Sequence, residues 1–176
     1  MRTPADLFLG TVKLGVPEYG FFSQRDAFFD PIQFLRSAAA LGVTRFDTSP
    51  RYGNSESVIG EFIQKSTSRP FVASKIDNLS AKDPATPRIM EESVNHSLSK
   101  LHLSSLDICY LHQNDIDIIS DRYVHQGLKL LKEKGLIRRA GASLYNKEEC
   151  AYAADSGMFD VIQLPVSVFD LGLYNF

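Results

Sequence analysis

Cysteine is scarce in this chain. Cys109 and Cys150 are the two that occur, and they share no metal-ligand or redox spacing. A disulfide scaffold and a cysteine-built zinc module are therefore not expected, and the pair suits a reducing cytoplasm, where a buried thiol behaves as a small hydrophobe. An excess of one charge is also lacking. Lys+Arg is 19 against Asp+Glu 21, a net charge of −2, which offers no electrostatic footprint for nucleic acid or an anionic membrane. No apolar run approaches the ~20 residues of a membrane span, and the opening MRTPADLFLG lacks the apolar core of a signal peptide. Neither GxGxxG nor GxxxxGK[ST] occurs, so the common glycine-rich phosphate loops are absent. His96, His102 and His125 fall on predicted helices or their ends, without companion carboxylates at metal spacing; they read as surface residues, and no metal is expected. These absences leave a soluble cytoplasmic protein with no nucleic-acid or membrane partner.

What is present is an ordinary globular balance, 44% hydrophobic and 23% charged over 176 residues. That suffices for one domain with a real core, taken here as residues 1–176. The organisation repeats: short apolar strand, polar loop, amphipathic helix, glycine, next strand. Six strands are predicted, at Phe8–Gly15, Thr44–Ser49, Phe71–Ile76, Leu106–Gln113, Ile137–Leu144 and Val161–Val168. Continuous apolar runs such as LDICYLH mark strands buried on both faces, as in a parallel sheet covered by helices. Asp30-Pro31-Ile32-Gln33 and Asn146-Lys147-Glu148-Glu149 read as capping boxes. Asn54 is placed as a further cap, Thr86-Pro87 as a helix start, and another helix start near Ser120. Gly42, Gly135 and Gly157 close helices ahead of apolar strands. Residues 77–87 read as a surface loop.

A strand-helix period of ~25–35 residues fits βαβ architecture. It allows an open doubly wound sheet or a (β/α)₈ barrel, and the missing glycine-rich first turn weighs against the former. The strand ends carry the chemistry. Asp47 ends the second strand, with Tyr52 just beyond it. Lys75 stands at the end of the third, His112 of the fourth and Ser143 of the fifth, and Gln163 lies in the sixth. In a parallel barrel such ends converge on one rim. Taken singly, Asp47 reads as a loop cap, Tyr52 as a half-buried loop tyrosine and His112 as a bonded core residue. Lys75 is the odd one, because a buried lysine needs a partner, and Asp47 is the natural candidate.

The run Gly42-Val43-Thr44-Arg45-Phe46-Asp47-Thr48-Ser49, followed by Tyr52-Gly53-Asn54-Ser55-Glu56 and Ile59-Gly60, resembles the first signature of the aldo-keto reductases. Lys75, Leu106-Asp107 with Tyr110-Leu111-His112, and Gly141-Ala142-Ser143 follow in that family's order. Leu9-Gly10-Thr11-Val12-Lys13-Leu14-Gly15 fits its first barrel strand. The resemblance covers about residues 7–170. It implies reduction of an aldehyde or ketone to an alcohol with NADPH. Tyr52 would be the general acid, Lys75 the cation that favours its phenolate, Asp47 the partner of that lysine, and His112 the residue orienting the carbonyl. An unperturbed tyrosine titrates near ~10, so a donor working near neutrality needs such a neighbour. Ser143 and Gln163 would hold the nicotinamide amide, Gly10 and Thr11 would lie near its ribose, and Asp47 would also contact the cofactor. Leu144 departs from the asparagine that follows this serine in many members. The loop Pro17–Phe22, with Tyr19, Phe21 and Phe22, reads equally as a substrate wall or a packed loop.

The family's barrel takes ~250 residues, so the expectation is an incomplete one of about six βα units, lacking strands 7 and 8 and the segment that grips the cofactor phosphates. Three explanations stand beside one another: a shortened reductase, a short form whose open edge is covered in a homo-oligomer, and an inactive or regulatory subunit on the reductase scaffold. Weak or absent NADP(H) binding would mark the last.

Overall fold

The computed structural model describes residues 7–20, 30–113, 115–167, 169 and 172–173. Six strands lie in the order β1 (Phe8–Gly10), β2 (Arg45–Asp47), β3 (Phe71–Ile76), β4 (Ile108–Leu111), β5 (Ala140–Ser143) and β6 (Val161–Gln163). Each strand neighbours the next in sequence, without the reversal that marks a doubly wound sheet. The fold is thus an incomplete (β/α) barrel type with parallel strands. Among the described residues, no helix is long and apolar enough to cross a membrane.

The chain divides into two compact units, Met1–Ser74 with His96–Asp107, and Lys75–Asn95 with Ile108–Phe176. The first holds β1, α1 (Val12–Gly15), α2 (Pro31–Ala40), β2, α3 (Ser55–Gln64), the start of β3 and the end of α4 (Thr86–Leu101). Leu14, Leu35, Phe46, Ile59, Phe62 and Val72 form its core, and the rings of Phe46 and Phe62 meet edge-on at 5.6 Å. The second holds the end of β3, the body of α4, β4, α5 (Ile116–Ile119), α6 (Arg122–Glu133), β5, α7 (Lys147–Asp155) and β6. Met90, Val94, Leu111, Leu128, Leu131 and Leu144 are buried there.

Several predicted strands are shorter than their apolar runs. The first stops at Gly10 and turns into α1, because Leu14 finds its buried place on a helical turn, not on an extended strand. The fourth spans Ile108–Leu111 and the fifth Ala140–Ser143; Leu106 and Ile137, buried ahead of them, make single bridges outside the continuous ladders. The sixth ends at Gln163, and Val168 lies outside the described residues. The Asp30 and Asn146 caps hold, accepting from Ile32 and Gln33 and from Glu149. Asn54 makes no side-chain cap bond. The helix expected near Ser120 starts at Arg122 under an Asp121 cap, preceded by the short α5. Gly42, Gly135 and Gly157 take φ of +87°, +68° and +66°, the left-handed helix endings expected of them. His125 is half-buried, not a surface residue: its Nε2 lies 2.7 Å from the Ile119 carbonyl, and its ring stacks on Tyr152.

Two aspartates set strand register. Asp107, just ahead of β4, donates its N–H to the Val72 carbonyl (3.0 Å) and accepts the Val72 N–H on Oδ2 (2.8 Å). Arg69 closes over both its carboxylate oxygens at 3.0 and 2.9 Å. Asp160, just ahead of β6, repeats the clasp on Ala140, at 2.9 Å through its N–H and 2.7 Å through Oδ2, with Lys132 at 2.6 Å. Burial pushes the Asp160 carboxyl up, but Lys132 and the Ala140 N–H outweigh it and hold it below its ordinary value.

Asp107→Ala strips a buried strand N–H of its acceptor and is expected to cost about 2–4 kcal/mol. Arg69→Met, at a partly exposed partner, should cost about 1 kcal/mol or less. Urea unfolding midpoints measure both. Asp121 gives a second test, in pH. Burial raises its carboxyl, but the N–H groups of Lys82, Tyr123 and Val124 and the Arg122 charge bring it below the usual range. A carboxyl depressed on folding stabilises above its unfolded value of ~3.9, and the gain is lost as pH falls through the folded value. The stability gap between wild type and Asp121→Asn, about 1 kcal/mol, should be flat above pH ~5 and close as pH drops below ~4.

Candidate active site

Gly10, Thr11, Asp47 and Tyr52 belong to the first unit. Asp47 ends β2, paired with Gly10 on one side and Ala73 on the other, and is 9% exposed. Thr11 is buried, and both its N–H (3.0 Å) and its hydroxyl (2.8 Å) donate to the Asp47 carbonyl. Ser55 extends the cluster. Its Oγ donates to the Thr11 carbonyl and hydroxyl and lies 3.0 Å from Thr48 Oγ1. The turn between these two anchors carries Tyr52, half-buried, with its N–H on the Ser49 carbonyl at 2.9 Å.

That turn is also pressed against α1. A Cβ on Gly15 would lie 1.7 Å from the Tyr52 carbonyl oxygen and 2.8 Å from the Asn54 nitrogen. Gly53, at φ +56°, would set its own Cβ 2.4 Å from the Gly15 oxygen. Two backbones touch here because neither has a side chain. This contact and the hydroxyl cluster were not foreseen. Their signals, Gly15 ahead of a loop and Ser55 beside the Tyr-Gly pair, mean nothing until the chain is folded.

A cleft of about 430 Å³ opens along α1, lined by Gly10, Val12, Lys13, Leu14, Tyr19 and Phe34. No atom stands within 4 Å of where a Gly10 Cβ would be, so protein packing does not demand glycine there. Of the three loop aromatics, Tyr19 lines the cleft and is 58% exposed, while Phe21 and Phe22 lie outside the described residues.

Lys75, His112, Ser143 and Gln163 belong to the second unit. Lys75 is 3% exposed, with its Nζ 5.9 Å from the centre of the Tyr110 ring, in cation–π range. His112 follows β4, half-buried, its N–H on the Ile76 carbonyl at 2.9 Å. Ser143 and Gln163 face each other in the β5–β6 ladder. A hydroxyl beside a primary amide is a donor–acceptor pair that matches a carboxamide. A further cleft of about 470 Å³, lined by Lys82, Asp117, Ser120, Asp121, Arg122 and Tyr123, contains none of the expected residues.

The parallel (β/α) repeat carries Asp47, Lys75, Ser143 and Gln163 at the C-terminal parts of its strands, with Tyr52 and His112 after β2 and β4. The aldo/keto reductase family model matches residues 6–171, and the chain belongs to that family. An oxidoreductase of Mycobacterium tuberculosis is 30% identical over 140 residues, 78% of this chain and 42% of that protein. L-galactose dehydrogenase of Arabidopsis thaliana is 32% identical over 145 residues, 76% of this chain and 45% of the relative. An aldo-keto reductase of Pseudomonas aeruginosa superposes with a TM-score of 0.76 at 24% identity, covering 97% of this chain and 68% of that one. The chain spans half or less of the length of the curated relatives it matches.

Gly15→Ala is expected to force the Tyr52 turn off α1, destabilising the chain by roughly 3 kcal/mol. Ser55→Ala, which removes hydroxyl bonds without a clash, should cost about 1–2 kcal/mol. Thermal unfolding with limited proteolysis checks both, with new cleavage near residues 49–54 expected in the glycine variant.

Proposed function

We propose that this chain carries the catalytic rim of an NADPH-dependent carbonyl reductase. The single observation behind the proposal is the family match over residues 6–171, together with Asp47, Lys75 and His112 at their strand ends and Tyr52 in the turn after β2. When bound, the nicotinamide cofactor supplies the hydride. Ser143 and Gln163 hold its carboxamide. Gly10 leaves room for its ribose beside Asp47, with Thr11 fixing that corner through its bonds to the Asp47 carbonyl. The Tyr52 hydroxyl gives its proton to the carbonyl oxygen as hydride reaches the carbon, and solvent returns the proton. By resemblance to the family, Lys75 would favour the phenolate left behind, and His112 would steady the carbonyl oxygen. Positioned acid catalysis of this kind contributes roughly 10²–10⁴-fold.

The choice of NADPH draws on an aldo-keto reductase of Klebsiella pneumoniae solved with NADPH, which superposes with a TM-score of 0.65. Relatives named D-arabinose 1-dehydrogenase, from Saccharomyces cerevisiae, and L-galactose dehydrogenase make aldoses and their oxidised products the first substrates to screen. The buried cysteines Cys109 and Cys150, which form no disulfide, suit action in a reducing cytoplasm.

A fluorescence titration of the full chain with NADPH should show saturable micromolar binding, followed by turnover of a carbonyl substrate. Tyr52→Phe should keep the binding and lose nearly all turnover. Full turnover in that variant overturns the assignment of the acid. A folded chain that binds no NADPH overturns the enzymatic reading in favour of a regulatory subunit.

A further inference from the structure

Beyond the end of β3 the chain makes a short turn that is bonded to the end of β4 at two points. The His112 N–H donates to the Ile76 carbonyl at 2.9 Å. Three residues on, the Gln113 side chain grips Leu79 from both sides: Nε2 donates to the Leu79 carbonyl at 3.1 Å, and Oε1 accepts the Leu79 N–H. Asp77 lies between these two attachments. Its Oδ1 accepts the N–H of Asn78 at 2.8 Å, and Asn78 takes φ +58° to make the turn. Its Oδ2 faces His112 Nδ1 at 3.6 Å, with the Asp77 side chain 5% and the His112 side chain 17% exposed. The carboxylate is thus carried by a turn that cannot leave the histidine without breaking the bonds on either side of it.

We propose that Asp77 is a positioning residue for His112, accepting the Nδ1 proton and thereby fixing the tautomer and the rotation of the ring. The separation is a few tenths of an ångström beyond a hydrogen bond, and catalytic contacts of this kind tighten when a ligand closes on the ring. A carboxylate can only accept, so the proton between the two belongs to Nδ1. The other ring nitrogen is then determined. In the neutral ring Nε2 carries a lone pair, and it carries a proton only in the imidazolium, whose charge the Asp77 carboxylate balances.

This deepens the function proposed above and rests on it. Donation from Nε2 to a carbonyl oxygen belongs to the cationic ring. The neutral ring is matched instead to accepting the hydroxyl hydrogen of an alcohol, the substrate of the reverse reaction. One residue would then serve both directions, with Asp77 supporting each form.

The test is the nitrogen spectrum of the histidine rings in the uniformly ¹⁵N-labelled full chain, recorded above the pH at which His112 titrates. His112→Gln assigns its signals. Nδ1 is expected at the protonated position and Nε2 at the unprotonated one. Asp77→Ala should convert His112 to the Nε2–H form that free imidazole prefers, and Asp77→Glu should restore the first pattern. If the alanine variant does not fold, Asp77→Asn, matched in shape, should give a mixture of the two tautomers. A wild-type ring already in the Nε2–H form overturns the proposal, as does a pattern unchanged when the carboxylate is removed. In turnover, Asp77→Ala should lower kcat roughly ten- to a hundredfold, the size of one charge-assisted hydrogen bond, with NADPH affinity unchanged. The spectra need neither cofactor nor substrate. A locked ring in a chain without reductase activity therefore overturns the functional reading and supports the pairing. An unlocked ring in an active reductase does the reverse.

Discussion

Short parallel strands need something other than their own ladders to stay in register. The strands here run from three to six residues, and a three-residue pairing supplies few bonds. Asp107 and Asp160 make up the deficit. Each ties its own backbone N–H and its carboxylate to one residue of the neighbouring strand, with a cation closing over the carboxylate. A one-residue slip would break both bonds at once and turn every side chain to the opposite face. The positions of Lys75 on β3 and of Ser143 and Gln163 at the ends of β5 and β6 depend on registers held this tightly.

Local signals in the sequence survive folding best. The Asp30 and Asn146 caps and the three helix-ending glycines are decided within four or five residues, and they stand as expected. Strand lengths are less legible, because an apolar run reports burial and not a continuous ladder: Leu106 and Ile137 are buried and make single bridges ahead of β4 and β5. The first strand shows the same ambiguity, since Leu9 and Leu14 suit a strand followed by a helical turn as well as one long strand. Asn54 had the right residue type for a cap, but the chain there is held by the Ser55 hydroxyl and the Gly15 contact, both made to residues some forty positions earlier.

The candidate site residues stand out in the sequence by their order and spacing, and the residues packed around them do not. Asp77 stands two positions after Lys75 in a polar stretch that reads only as loop. Its relation to His112 exists because Gln113 and Leu79, thirty-four positions apart, bind each other. Thr11 illustrates the converse. Its place next to Gly10 is plain in the sequence, but the two bonds its hydroxyl and its N–H make to the Asp47 carbonyl, which secure the end of β2, exist only in the fold.

The meeting of Gly15 with Gly53 has a consequence for how such a scaffold diversifies. Contacts between side chains can drift, since a loss on one side is offset by a gain on the other. A contact between two bare backbones has no such freedom, because neither position can accept even a methyl group. The turn bearing Tyr52 is therefore pinned to α1, while the cleft along α1, walled by Val12, Tyr19 and Phe34, is built from side chains that can be exchanged singly. A substitution in that wall leaves the two glycines, and the turn they hold, as they are.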